Sequence, residues 1–433
     1  MSRHSTIRID APSVISQTGH RKRPNRSGLR VRHGFVLALV VGLIVWGEFL
    51  PGTKWTIERT VRLSGLPVQS MDLVAGQGVT HALVYGKFEG AEENRLAYLV
   101  SRDHGDTFSE PVFIDPGVED VISSLSNPIR LYAEGKRRVA VYQIRGEFPG
   151  NGPLRIAVSG DSGRHWISGI MPVREDPLGN ENHPVIAGDD FGRIHLLWLD
   201  DRDEAGSTVG LRTAHSVDGG LTWQGERTID GATCTCCAPT LTKLPGSRLG
   251  LLYRDHAPKD MRLVLFDPVE NEWVQKPLVG AFGWFFEGCP HMGGSLQGVA
   301  ADGITTLHSA VWTGKGDRIG IHYLQSTDFG QTWQQQKLLD TEGGDPELAA
   351  WGAQRLVIAY RRGLGAESRI MVTESEDGGQ HWLPPTQLSA PGHRVDHPRL
   401  IADSEGYEVL WTETDTRQQK QLATHFYEWN SSL

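Results

Sequence analysis

One turn motif, S-x-D-x-G-x-x followed by an aromatic residue, recurs five times along this chain of 433 residues. Its copies occupy residues 101–108, 159–166, 216–223, 326–333 and 375–382. In each copy the aspartate can accept backbone N–H groups of the turn, the glycine permits a positive φ, and the aromatic ring can pack beneath the hairpin. A degenerate sixth copy, FDPVENEW, occupies residues 266–273. Repetition of one hairpin over most of a chain indicates a repeat architecture.

Two further features recur in register with these turns. Apolar segments end in an aromatic residue at Tyr85, Tyr142, Trp198, Tyr253, Trp312, Tyr360 and Trp411. Other segments open with a proline, which a strand tolerates at its first residue, at Pro128, Pro184, Pro239, Pro290, Pro346 and Pro398. The aromatic positions lie 48–59 residues apart, which is the range of propeller blades.

These repeats predict an all-β fold, a β-propeller of seven four-stranded blades, with six blades as the alternative. In each blade the proline opens strand one, the aromatic residue ends strand two, and the S-x-D-x-G turn joins strands three and four. The last repeat contains only three strands. A segment within residues 53–63 precedes the first repeat and is expected to supply the fourth strand, which would close the ring without an open edge. The predicted propeller domain covers residues 53–430.

The S-x-D-x-G-x-x-W turns are Asp boxes, and a propeller with five of them resembles the sialidase (neuraminidase) superfamily, also called BNR-repeat proteins. The resemblance covers about residues 55–430 and implies a ligand site on the face opposite the Asp boxes. The motifs C-x-C-C at residues 234–237 and G-C-P at residues 288–290 are also similar to those of a bacterial sialidase-like group. That group is defined by its fold rather than by a reaction.

The N-terminal region differs in composition from the rest of the chain. Residues 1–33 contain eight Lys/Arg and one acid, although the whole chain has a net charge of -9. They form a predicted basic cytoplasmic tail, and the apolar residues 34–50 form a predicted signal-anchor, with a cleaved signal peptide as the alternative. The positive flank predicts a single-pass protein of the inner membrane, with the propeller on the periplasmic side. The acidic body argues against nucleic acid as a partner.

The register of the repeats places the residues around each recurrent proline on the face opposite the Asp boxes, which is the predicted ligand face. Cys237 lies two residues before Pro239, and Cys289 directly precedes Pro290, so the two cysteine motifs open neighbouring blades. All four cysteines of the chain, Cys234, Cys236, Cys237 and Cys289, should therefore meet on this face.

Polar and charged residues follow the same register and are predicted to bind a ligand there. They are Asn127, Arg130, His183, Arg202, Lys315, Asp345, Arg362, Asp396 and His397. A rim of arginine, aspartate and histidine suits an acidic glycan, and a protein partner is the other candidate ligand. The alternative is that these residues only cap backbone groups at the blade entrances.

The sialidase resemblance implies three arginines on the substrate carboxylate, a tyrosine nucleophile supported by a glutamate, and an aspartic acid as general acid. The catalytic candidates are Asp255, Arg254, Arg361 and Arg399, with Asp345 as a second candidate for the acid. The R-I-P sequence of the first arginine is absent, and no Tyr–Glu pair is identified. The sequence therefore favours binding of a glycan, metal or partner, with an exo-sialidase-type hydrolase or a lyase of acidic sugars as the alternative.

The cysteine cluster allows three interpretations. An even number of cysteines in an exported chain is typical of disulfides, and Cys234 or Cys237 could pair with Cys289. The four sulfurs could instead hold copper or zinc, together with His183, His291 or His397. A reactive thiol beside Arg254 is the third interpretation.

Overall fold

The structure, a computed structural model, describes residues 58–63, 68–76, 78–88, 92–114, 120–123, 127–172, 179–202 and 209–429. The predicted basic tail and signal-anchor, residues 1–50, lie outside the described residues. Among the residues that are described, none forms a helix with the length and apolarity that a bilayer crossing requires.

The described residues form 29 β-strands and two 3₁₀ turns, Gly316–Arg318 and Gly365–Glu367. The N-terminal strand is β1 (Glu58–Leu63). The first two blades contain β2 (Val68–Gly76), β3 (Val79–Gly86), β4 (Arg95–Ser101) and β5 (Val112–Phe113), then β6 (Val121–Ile122), β7 (Arg130–Glu134), β8 (Arg137–Ile144), β9 (Leu154–Ser159) and β10 (Ile167–Ser168). Blades 3 and 4 contain β11 (Glu181–Gly188), β12 (Ile194–Asp200), β13 (Val209–Ser216) and β14 (Gln224–Thr233), then β15 (Thr240–Leu244), β16 (Arg248–Arg254), β17 (Met261–Asp267) and β18 (Glu272–Val279).

The remaining strands complete three further blades. Blades 5 and 6 contain β19 (Gly294–Ala301), β20 (Ile304–Thr313), β21 (Gly320–Ser326) and β22 (Gln334–Asp340), then β23 (Gly343–Trp351), β24 (Arg355–Arg362), β25 (Arg369–Ser375) and β26 (Thr386–Gln387). Blade 7 contains β27 (Arg394–Ala402), β28 (Gly406–Thr414) and β29 (Lys420–Glu428). The prediction of seven blades is confirmed, and the six-blade alternative is wrong.

The ring closes through the N-terminal strand, as the repeat count predicts. Strand β1 pairs antiparallel with β29, with Glu58 opposite Tyr427 and Leu63 opposite Leu422, and so completes blade 7. The first strands of the seven blades (β2, β7, β11, β15, β19, β23 and β27) contact one another in turn, and β27 contacts β2. These seven strands surround a central channel.

Apolar packing joins each blade to its two neighbours. Seven buried clusters are present, and each is built from two adjacent blades. Five aromatic residues that end strand two are almost fully buried: Tyr142, Trp198, Tyr253, Tyr360 and Trp411. The core is therefore a series of layers between blades.

The Asp boxes join strands three and four of blades 1, 2, 3, 5 and 6. In each, the serine hydroxyl donates to the aspartate at 2.8–2.9 Å and accepts the glycine N–H at 2.8–2.9 Å. The glycine has a φ between 79° and 98°. It also lies against the preceding blade, since a Cβ on Gly163 would meet the Tyr98 ring at 2.3 Å and one on Gly379 the Tyr323 hydroxyl at 2.1 Å. Glycine is thus needed for conformation and for close approach between blades.

Candidate functional site

The first strands of several blades are irregular where they reach the channel mouth. The pairing of β11, β23 and β27 with their second strands skips two residues, and in each case the second skipped residue is the recurrent proline. Proline has no N–H for the ladder, so a bulge forms there. The residues before two of these prolines, His183 and Asp345, each hold a φ of 52°. Left-handed backbone at residues other than glycine is strained and concentrates at functional sites.

These blade entrances surround a funnel cavity of about 350 Å³. Its walls include five of the recurrent prolines, from blades 2, 4, 5, 6 and 7: Pro128, Pro239, Pro290, Pro346 and Pro398. Its ionisable lining residues are Arg130, His291, Asp345, Glu347, Arg361, Asp396 and Arg399. Equivalent positions of different blades, directly at and after the recurrent prolines, therefore meet in this cavity.

A cluster of four charged side chains lies at the funnel cavity, and three of them, Arg130, Glu347 and Arg399, belong to its lining. Asp72 accepts the N–H of Leu131 at 2.8 Å and lies 3.5 Å from Arg130 Nη1 and 3.8 Å from Arg399 Nε. Arg399 Nη1 also donates to Glu347 at 2.5 Å. Burial raises the pKa of Glu347, although the nearby arginines act in the opposite direction. The neighbouring blades 6, 7, 1 and 2 are thereby linked along one side of the channel, and a second space of about 200 Å³ lies along this cluster.

A second group of charges lies nearer the mouth, around Arg361. Its Nη2 donates to Asp345 at 2.8 Å, its Nη1 donates to the Gly363 carbonyl at 2.5 Å, and its Nε lies 3.7 Å from Asp396. Burial raises the pKa of Asp396, partly offset by Arg361. The Arg361 side chain is 10% exposed and all three of its guanidinium nitrogens donate to protein acceptors, while the group still borders the cavity.

An adjoining groove extends the funnel cavity towards blades 6 and 7. It has a volume of about 580 Å³, and Asp396 borders both spaces. Its lining is mostly hydroxyl, amide and charged side chains, among them Gln69, Ser123, Arg394, Thr412, Thr414, Gln418 and Lys420. A cavity with charged groups set in an apolar wall, beside a more polar groove, suits an extended ligand with apolar and hydrophilic faces.

Two of the four catalytic candidates do not face the funnel cavity. Arg254 is 1% exposed and donates to the carbonyls of Lys259 at 2.5 Å, Met292 at 2.9 and 3.0 Å, and Trp312 at 3.0 Å. Asp255 accepts from Arg262 Nε at 2.7 Å and from the His256 N–H at 2.7 Å. Arg254 therefore holds the segment before β19 in place. Only Arg361 and Arg399 of the candidates line the cavity.

Several predicted ligand-binding residues lie around the cavity rather than in its lining. Arg202 pairs with Glu226 at 2.8 Å, Lys315 donates to the Gly283 carbonyl at 3.2 Å, and Arg362 donates to Asp340 at 2.6 Å. Asn127 accepts the His183 N–H at 2.8 Å and so links blades 2 and 3. Arg130, Asp345 and Asp396 do line the cavity. The side chain of His397 lies outside the described part of the chain.

Sequence reasoning missed Asp72 and Glu347 as site residues. Both occupy the position after the recurrent proline, where blade 1 has Met71 in place of proline. The same position holds Thr240, His291 and Arg399, which also line the channel spaces. The position directly after the recurrent proline was therefore the sequence feature that could have identified these site residues.

The four cysteines meet beside the funnel cavity. The sulfurs of Cys234, Cys236 and Cys237 lie 3.6, 3.7 and 4.0 Å apart, and all three residues are buried. Cys289 is exposed, and its sulfur lies within 4.8 Å of Cys236 Sγ and of a His291 ring nitrogen. All four are free thiols in the structure, since a disulfide requires about 2.05 Å between sulfurs. The cluster could bind a metal ion.

The groups around the cysteines favour the thiolate form of Cys234 over its thiol form. Hydrogen bonds from the Cys236 and Cys237 thiols lower the pKa of Cys234, and Lys259 Nζ, 3.6 Å from Cys234 Sγ, acts in the same direction. The interaction with Cys234 raises the pKa of Cys237 to about 11, and that of Cys236 is also raised. Thiolates bind soft metals and act as nucleophiles, so this group is chemically competent for either role.

No family model matches the chain, and no curated protein matches it. Solved structures do. An ulvan lyase of polysaccharide lyase family PL25, bound to -[GlcA(1-4)Rha3S]-, is 11% identical with a TM-score of 0.56, covering 83% of this chain and 95% of that chain. The polysaccharide lyase Uly1 is 11% identical with a TM-score of 0.53, covering 90% and 95%. The NanB sialidase from Streptococcus pneumoniae is 13% identical with a TM-score of 0.44, covering 84% and 69%.

These likenesses concern the fold. The seven-blade topology and the five Asp boxes show an Asp-box β-propeller, as the sequence motifs imply, and the two lyases have the same fold.

Proposed function

We propose that this protein binds an acidic glycan in the funnel cavity. The observation that supports this most directly is the convergence of Arg130, Arg361 and Arg399 with Asp345, Glu347 and Asp396 on one cavity at the channel mouth. Guanidinium groups suit a sugar carboxylate or sulfate, and carboxylates suit sugar hydroxyls. The polar groove beyond Asp396 provides room for further sugar units.

The arginines have the arrangement that such a ligand needs. Arg361 is fixed by Asp345 and the Gly363 carbonyl, so little side-chain freedom remains to be lost on binding. Asp345 is 35% exposed and can exchange part of its contact with Arg361 for a sugar hydroxyl. The ulvan lyase with the same fold binds a repeat that carries glucuronate and sulfate, which also favours an anionic ligand.

Calorimetric titration of the full-length chain with uronate-containing and sulfated oligosaccharides tests this proposal. Arg361→Lys keeps the charge but loses the guanidinium fork, and binding should weaken about 10- to 100-fold, the equivalent of one charge-assisted contact. Arg164→Ala, on an exposed Asp-box turn, is the matched control and should bind like the wild type. Equal affinity for Arg361→Lys and wild type, or no binding to any acidic glycan, would contradict the proposal.

Turnover of the bound glycan is the alternative within the same site. Glu347 and Asp396 have raised pKa values, because of burial, and a carboxyl group with a raised pKa is suited to proton donation. A hydrolase would release reducing ends, and a lyase would release an unsaturated sugar that absorbs ultraviolet light. Glu347→Gln should abolish either product while binding persists. Binding without product would leave the protein a non-catalytic glycan-binding module.

A soft metal ion, copper or zinc, is the second proposed ligand, and the cysteine cluster is its proposed binding site. The close approach of three buried sulfurs supports this proposal. Metal analysis of protein purified without chelators, combined with thiol titration, tests it. Stoichiometric copper or zinc with thiols that appear only after its removal is the expected result. Four thiols lost without metal would indicate two disulfides instead.

We also propose that residues 1–50 anchor the propeller to the inner membrane from the periplasmic side. The basic residues before the apolar segment support this orientation. Added protease should degrade the propeller in spheroplasts but not in intact cells. Protection in spheroplasts would argue against export.

A further inference from the structure

The cysteine cluster contains two donor sets that share one residue. The inner set is Cys234, Cys236 and Cys237, and all three are buried. The outer set is Cys236, Cys289 and His291, of which Cys289 and His291 are exposed. Cys236 belongs to both sets, so a metal ion can pass from one to the other without leaving that sulfur.

The inner set has the dimensions of a three-coordinate site. Sulfurs 3.6, 3.7 and 4.0 Å apart surround a point about 2.2 Å from each, close to a metal–thiolate bond length. Within the described part of the chain, no fourth cysteine, histidine or carboxylate donor lies within 4.8 Å of all three sulfurs. Zinc normally takes four protein donors in a structural site, whereas soft thiolates also select copper(I). The inner set therefore fits copper(I) better than zinc.

A loaded inner set would carry negative charge, and a lysine ammonium group lies beside it. Three thiolates and one copper(I) carry a net charge of minus two, which is costly in a buried position. Lys259 is 8% exposed, and its ammonium group lies 3.6 Å from Cys234 Sγ, so it offsets part of that charge. The Arg254 guanidinium holds the Met292 carbonyl, directly after His291, and keeps the outer donors beside the inner ones.

We propose that the cluster is a copper(I) relay, in which Cys289 and His291 capture the ion at the surface and Cys236 carries it to the inner set. This inference rests on the proposed metal binding. Copper stays in the +1 state throughout. The bond to Cys236 is kept, the bonds to Cys289 and His291 break, and bonds to Cys234 and Cys237 form. Cys234 is already the favoured thiolate, so the single thiol proton of Cys237 passes to the released Cys289 thiolate and the step balances.

Loading kinetics of the reduced full-length chain test the relay, with the copper(I) complex of bicinchoninate as the donor under anaerobic conditions. Wild type should take up one tightly held copper, with three sulfur neighbours by X-ray absorption. The double variant Cys289→Ser/His291→Ala should load at least about tenfold more slowly, yet reach the same final copper content. Cys234→Ser should lose the tightly held copper and keep only a rapidly exchanging ion. His165→Ala, an exposed histidine on an Asp-box turn, is the control and should load like wild type.

Every other outcome contradicts a specific part of the proposal. If the double variant loads at the wild-type rate, the relay is wrong while the metal site remains. If it also loses final copper, all five residues form one site and no relay exists. If wild type prefers zinc with a fourth ligand, the copper assignment is wrong. If wild type binds neither metal, the proposed metal binding fails as well.

Discussion

Replacement of Arg254 by methionine should destabilise the fold without a direct effect on glycan binding. The sequence suggests Arg254 as a catalytic residue, but its guanidinium donates four hydrogen bonds to the carbonyls of Lys259, Met292 and Trp312. It also lies over the Trp284 ring, with its Cζ 5.5 Å from the ring centroid. Methionine has a similar length and no donors, so it would leave three carbonyls without this partner.

The expected loss of unfolding free energy follows from the number of carbonyl groups that lose a donor. A buried acceptor left without a donor costs about 1–3 kcal/mol, so three carbonyls at the low end amount to about 3 kcal/mol of unfolding free energy. The low end is appropriate because methionine also removes a buried charge, whose own desolvation opposes folding. Arg254→Lys keeps a charge that can reach only part of this set, and it should lose an intermediate amount.

Urea unfolding followed by tryptophan fluorescence measures these losses, and glycan titration of the folded variants measures binding. We expect a lower midpoint for Arg254→Met with glycan affinity close to that of wild type. Arg361→Lys should lose less stability than Arg254→Met, because it keeps a charge beside Asp345, and should show the larger change in glycan affinity. An unfolding free energy for Arg254→Met within about 0.5 kcal/mol of wild type would refute the reasoning. A loss of glycan affinity without a loss of stability would also refute it, because that result would mean that Arg254 contacts the ligand.

Two further predictions concern stability. Burial raises the pKa of Glu408 to about 7 from 4.5, so its contribution is complete below pH 4.5 and is lost as the pH rises through 7. Relative to Glu408→Gln, wild type should therefore lose up to about 3 kcal/mol between pH 4.5 and 7.5 in urea titrations, and a pH-independent difference would contradict this. Gly379→Ala should cost about 1–3 kcal/mol more than Gly392→Ala in the same assay. Both glycines have positive φ, but only at Gly379 does a Cβ meet another residue, at 2.1 Å, and equal losses would rule out the contact between blades as the reason.

Repetition made most of the fold predictable. Asp boxes, recurrent prolines and recurrent aromatic residues are local patterns, and each copy marks the same point of a four-stranded blade. Counting them gives seven blades, and the missing last strand points to the N-terminal segment as its replacement. The same register brings Cys237 and Cys289 to neighbouring blade entrances, which is why the cysteine cluster could be located before its geometry was known.

The sequence by itself therefore determined the blade number, the ring closure and the face on which polar residues and cysteines gather. Only the tertiary structure decided which of those residues point into the channel and which partners they meet. Arg254 and Arg361 occupy the same repeat position at the end of strand two, yet one is used by backbone carbonyls and the other borders the cavity. Asp72 and Arg399 pair across blades that are far apart in the chain. A repeat pattern specifies backbone position, whereas pairing between blades depends on side chains of different repeats, and no local pattern encodes those distances.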